Sequence, residues 1–157
     1  MDSGVIVDER IDPDVLANLE RTYNEQVARG SPSAVAVYSY AHGLIKSSNT
    51  NVRKGIKLLE DLLRQEVEDI SKRDYVYYLA IAHTRLKEYD RALAYIDILL
   101  SAESNNRQAL DLKDVIKHRM KKGTLLSLDG IIGMAILGGG IAVIGGLAIA
   151  ALAASKR

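Results

Sequence analysis

Three histidines, His42, His83 and His118, stand 41 and 35 residues apart, and none has a second ligand at the short spacing a metal centre needs. Cysteine is absent, which removes disulfides, thiolate zinc sites, thiol nucleophiles and palmitoylation. No glycine-rich turn follows a strand to cradle phosphate, no nucleophile elbow occurs, and no carboxylate pair has a reason to shift its proton affinity. Gly138-Gly139-Gly140 lies inside a long apolar run instead. The expectation is a chain with no catalytic residues, no cofactor and no metal. With 21 Lys and Arg against 20 Asp and Glu the net charge is +1, so no nucleic-acid partner is expected either.

What the residues do offer is a surface for binding. Tyr75-Val76-Tyr77-Tyr78-Leu79-Ala80-Ile81-Ala82 is apolar throughout, whereas a helix packed on one side needs only a stripe of about 100°. Val76, Leu79, Ala80 and His83 suffice for packing, which leaves Tyr77, Ile81, Thr84 and Arg85 to face a hollow. At an offset of 37 their counterparts are Tyr40, Leu44, Ser47 and Ser48. An apolar hollow with a polar edge fits a partner helix or strand; burial of these side chains by neighbouring helices is the alternative.

The elements that must position this surface are all helical. Asp12 before Pro13 is an N-cap followed by Pro at the first helical position, and Val15, Leu16, Leu19, Tyr23 and Val27 form an apolar stripe ending near Gly30. Further helices are predicted over 33–47, 51–66, 72–87, 90–102 and 106–122. In the last of these Ala109, Leu112, Val115, Ile116 and Met120 face inward and Gly123 serves as the stop. The fold class is therefore all-α, with six helices in the soluble part.

The offset recurs along the chain. Val52-Arg-Lys-Gly-Ile-Lys-Leu-Leu-Glu-Asp-Leu-Leu63 lies on Tyr89-Asp-Arg-Ala-Leu-Ala-Tyr-Ile-Asp-Ile-Leu-Leu100, so Gly55 matches Ala92, Leu59 matches Ile96 and Leu62 matches Leu99. Gly43 matches Ala80 further back. These are the small and large slots of tetratricopeptide helix pairs, with an outer helix capping each end of the stack.

At the far end, residues 131–154 hold no charge, hydroxyl or amide side chain. A helix of 24 residues is about 36 Å long and spans a hydrocarbon core of roughly 30 Å. With no apolar signal near the start of the chain, a tail anchor is expected, its helical domain in the cytosol. Lys117, Arg119, Lys121 and Lys122 before the span, after Lys113, and Lys156 and Arg157 beyond it, are read as flanking charges for lipid head groups. Gly138, Ala142, Gly146, Ala150 and Ala154 form a small-residue stripe, a face for homo-oligomers or a mere dilution of hydrophobicity. The predicted organisation is a flexible N-terminal arm (1–11), a helical domain (12–122), a linker (123–130), the span (131–154) and a basic tail (155–157). Val5, Ile6 and Val7 are apolar within the acidic arm, either a mobile tail or an autoinhibitory segment folded into the hollow. Unchanged partner affinity on deleting residues 1–10 would count against the second.

The strings Asn51-Val-Arg-Lys-Gly-Ile-Lys-Leu-Leu59, Lys72-Arg-Asp-Tyr-Val-Tyr-Tyr-Leu-Ala80 and Arg85-Leu-Lys-Glu-Tyr-Asp-Arg-Ala-Leu93, with the C-terminal anchor, resemble the mitochondrial and peroxisomal fission-one adaptor family. That resemblance implies an adaptor on the outer mitochondrial membrane, and on peroxisomes, which brings dynamin-type GTPases to division sites directly or through other fission adaptor proteins. It places groove residues on Tyr77, Tyr78, Ile81, Thr84 and Arg85, with Thr84 where a Tyr is common. The alternatives are a chaperone-docking or protein-import receptor, which needs a cationic clamp that this face lacks, and a lipid-remodelling protein acting through its tail. Ile81→Asp is expected to abolish recruitment while leaving targeting and folding intact.

Overall fold

Local capping sets where the helices begin. The Asp12 carboxylate accepts from the Asp14 amide at 2.8 Å, Ser33 Oγ from the Ala36 amide at 3.2 Å, and Asn106 Oδ1 from the Ala109 amide at 3.1 Å. The computed structural model describes residues 2–65 and 69–126. The predicted span, its small-residue stripe, the basic tail and the last part of the linker lie outside the described residues. Among the described residues, no helix is long and apolar enough to cross a membrane.

Among the described residues seven helices follow one another: α1 (Ser3–Asp8), α2 (Pro13–Ala28), α3 (Ala34–Leu44), α4 (Asn49–Gln65), α5 (Asp69–Arg85), α6 (Tyr89–Ala102) and α7 (Arg107–Leu126). The six expected helices are α2 to α7, and α3/α4 and α5/α6 are the tetratricopeptide pairs. Consecutive helices pack on one another from α2 to α7, so the stack is built from neighbours. Val52, Gly55, Ile56, Leu59 and Leu62 bury one stripe of α4; Ala92, Tyr95, Ile96 and Leu99 bury the equivalent stripe of α6. The turn between α5 and α6 closes with Lys87 at φ 61°. There the Glu88 amide donates to the His83 carbonyl at 2.9 Å and the Lys87 amide to the Thr84 carbonyl at 3.0 Å, a Schellman ending.

Three features differ from expectation. The arm is not without structure: α1 packs against α5 and α7. Helix α7 runs through Gly123 to Leu126, because Gly123 does not adopt the left-handed conformation that would stop it. Helix α2 buries none of its predicted stripe fully: Leu16, Leu19 and Tyr23 are half-buried and Val15 and Val27 exposed, since it packs chiefly on α3.

Candidate functional site

Helix α5 lies at the centre, in contact with α4, α6, α7 and α1. Tyr77, Ile81 and Arg85 follow at i, i+4 and i+8 and share the face on which α1 sits. The hollow predicted for these side chains is therefore filled, and by the chain's own arm. Tyr77 is 8% exposed and Ile81 2%. Both belong to one buried cluster with Val7, which is wholly enclosed, and Ile6 packs against that cluster.

The arm holds its own shape. Asp2 caps α1 by accepting from the Gly4 amide at 3.0 Å. Ser3 and Val7, one turn apart, are its buried positions, while Val5 is 55% exposed and points away. The Ser3 hydroxyl weighs on Tyr77, yet no hydrogen bond of good geometry satisfies the buried Tyr77 phenol. Burial, ahead of any neighbour, raises the Tyr77 proton affinity above its ordinary value.

Cations from three elements secure the end of the arm. Arg119 on α7 donates to both carboxylate oxygens of Asp8, at 3.0 and 2.7 Å, and reaches the Gly4 carbonyl at 3.4 Å. Its hydrogen bond is the first cause holding the Asp8 carboxyl below the usual carboxylate range. Arg85 donates to the Val7 carbonyl, to the Glu9 carbonyl at 2.8 Å, and to the Ser47 carbonyl at 3.4 Å. Lys46 pairs with Glu9 at 3.1 Å, Arg10 donates to the Ser47 carbonyl at 2.7 Å, and the Ile11 amide donates to the Lys46 carbonyl at 3.1 Å.

Several predicted groove residues sit elsewhere. Tyr40 turns to α2, its hydroxyl donating to Glu20 at 3.0 Å and its ring 5.0 Å from Tyr23; burial first, then Glu20, push its phenol up to about 12. Leu44 is buried where α3 crosses Gly55 of α4. Thr84 is 1% exposed and donates to the Ala80 carbonyl of its own helix at 2.7 Å. Tyr78 stands half-buried beside the site, edge-on to His42 at 4.5 Å and to Tyr77 at 5.5 Å. Lys117, Lys121 and Lys122 are exposed, but Arg119 of the same basic run is committed to Asp8. Lys156 and Arg157 lie outside the described residues.

Sequence reasoning passed over Lys46, Asp8 and Glu9 as parts of one latch. Their signal was the acidic pair directly after the only apolar run of the arm. Away from the arm, His83 fills a core slot as its repeat position predicted, with Nδ1 2.8 Å from Glu88 Oε2 and its ring stacked on Tyr95. Arg53 meets Glu88 at 2.9 Å beside it, at the edge of a cavity of about 390 Å³ between α4 and α6.

The chain that carries this arrangement is similar to known proteins along most of its length. Residues 37–66 match the Fis1 N-terminal tetratricopeptide repeat and residues 73–125 the Fis1 C-terminal tetratricopeptide repeat. The chain is 50% identical over 148 residues to the FIS1-related protein fis-2 of Caenorhabditis elegans, covering 94% of each. It is 41% identical over 155 residues to the mitochondrial fission 1 protein of Rattus norvegicus, covering 96% of this chain and 97% of that one. The crystal structure of fission protein Fis1 from Saccharomyces cerevisiae matches with a TM-score of 0.66 at 32% identity, over 76% of this chain and 92% of that chain. Yeast Fis1 in complex with an Mdv1 fragment containing N-terminal extension and coiled coil domains matches at 0.67 and 30%, over 75% and 91%.

Proposed function

The chain belongs to the Fis1 family, and we infer from that membership that it is a mitochondrial fission adaptor that recruits the fission machinery. The observation that carries the reading is a likeness to mitochondrial fission 1 proteins that runs through both repeats and nearly the whole length of each chain. Recruitment by a tetratricopeptide stack is a matter of surface rather than catalysis, in keeping with a site made of tyrosines, aliphatics and paired charges.

The finer reading concerns what binds and where. The guest is another fission adaptor protein, by analogy with the Mdv1 fragment held by yeast Fis1, and through it a dynamin-type GTPase. It takes the α5 face bearing Tyr77, Ile81 and Arg85, with Tyr78 at the border, once the arm has left. The arm is thereby autoinhibitory, and the burial of Val7 together with the Arg119–Asp8 and Lys46–Glu9 pairs supports this. Residues 131–154 anchor the chain in the outer mitochondrial membrane, and in peroxisomes, with Lys117, Lys121, Lys122, Lys156 and Arg157 against lipid head groups.

Because Ile81 is almost fully enclosed, Ile81→Asp would place a carboxylate in the core and confound recruitment with folding. Val7→Asp, which expels the arm, is the cleaner probe. In cells lacking their own copy, the wild-type chain is expected to restore mitochondrial division and Val7→Asp to recruit more of the machinery. Adding Arg85→Glu to Val7→Asp is expected to abolish that recruitment. Undiminished recruitment by the double variant would move the reading to a lipid-remodelling protein working through its tail.

A further inference from the structure

An arm that occupies a binding surface also records what that surface recognises. The contacts of α1 fall into three kinds. Two side chains one turn apart enter the floor: small Ser3, 3% exposed, and aliphatic Val7, with Ile6 adding a flank. The two residues after them, Asp8 and Glu9, present carboxylates to Arg119 and Lys46. The third kind is the least ordinary. Arg85 bonds the carbonyls of Val7 and Glu9, groups that a continuing helix would use for its own hydrogen bonds. The arm helix ends at Asp8, and the guanidinium serves as its C-terminal cap.

The geometry points to a partner segment of defined chemistry: a short acidic helix that terminates inside the hollow, with a small residue, aliphatic residues three and four positions later, and two carboxylates directly after them. This rests on the reading that the guest takes the surface beneath the arm, and it adds what the guest must carry there. Charge complementarity selects the occupant: with the arm gone, Arg85, Arg119 and Lys46 remain around Tyr77 and Ile81 without their carboxylates and carbonyls, and a neutral or basic helix would leave three cations unmatched. A long uninterrupted helix would leave Arg85 with no free carbonyl to bond.

The test uses the full chain in lipid vesicles and a fluorescent peptide of residues 2–11 of this chain as the probe. Anisotropy is expected to show binding to the Val7→Asp chain, and weaker binding to the wild type, whose own arm competes. Val7→Ala serves as a milder second opening variant. Asp8→Lys in the peptide is expected to weaken binding at least about five-fold, the size of one partly exposed charged pair, and Arg119→Glu in the protein to restore it. A peptide lengthened with Ala and Lys so that the helix runs on past Glu9 is expected to bind more weakly as well. Equal binding of the native, Asp8→Lys and lengthened peptides would overturn the proposal, as would no binding to either opened chain. Since no fission protein is present, such a failure would leave recruitment in cells as a separate result.

Discussion

Buried against Tyr95, His83 gives one ring nitrogen to Glu88 and leaves the other without a partner. Burial, first among the causes, lowers its proton affinity below the ordinary 6.5, against the pull of Glu88; Arg91 and Arg53 add to the lowering. The folded chain thus prefers the neutral ring, while the unfolded chain takes up a proton near pH 6.5. The resulting stability is complete above that pH and is lost as pH falls through the lowered native value. His42, half-buried with Lys46 and Glu9 nearby, is lowered by burial too and has the same sign. Urea unfolding midpoints are therefore expected to drop between pH 7.5 and 5.5, and His83→Gln to flatten that drop, with His42 supplying the rest. A slope unchanged in His83→Gln would show that the ring takes no part. His83 could be placed from its repeat slot. The pairing of Arg119 with Asp8 could not, because 111 residues separate them and each is an ordinary exposed charge in the pattern.

At the scale of elements, α3 and α4 come together closely at Gly55, where the second repeat carries Ala92. A Cβ on Gly55 would stand 2.8 Å from Ile45 Cγ2 and 3.0 Å from the Ala41 carbonyl oxygen, whereas Ala92 already fills the matching slot of α6. Gly55→Ala is expected to destabilise the chain by about 1–3 kcal/mol through forced separation of α3 and α4. Guanidinium unfolding checks this, and a neutral result would mean that Ile45 swings aside freely. The six long helices were legible from apolar stripes and from the repeat offset, with Asp12 marking the start of α2 and Ser33 that of α3. Helix α1 was not, since six residues carry too little periodicity and too little intrinsic stability; it exists because Val7 and Ser3 are buried on α5. The offset of 37 also transferred the groove from Tyr77 and Ile81 to Tyr40 and Leu44. That step failed because α2 covers Tyr40. A repeat pattern identifies equivalent helices but says nothing of which neighbour covers each one.

For the molecule as a whole, the stack and the predicted anchor carry separate tasks, and each should fail alone. Removing residues 131–157 is expected to move the chain from the membrane to the soluble fraction while leaving the peptide affinity of the opened variant unchanged, as fractionation and anisotropy would record. Retention on membranes without that segment would require another anchoring surface. The closed arm has a further consequence for how such a chain responds to its surroundings. A segment tethered to the wall it leans on, with the Ile11 amide bonded to the Lys46 carbonyl where it ends, is present there at an effective concentration on the order of millimolar, so a visitor's apparent affinity falls by the fraction of chains whose arm is open. On the reading that a guest takes this surface, single visitors are expected to bind the closed chain weakly, and clustered ones, whose avidity offsets the competing segment, disproportionately better.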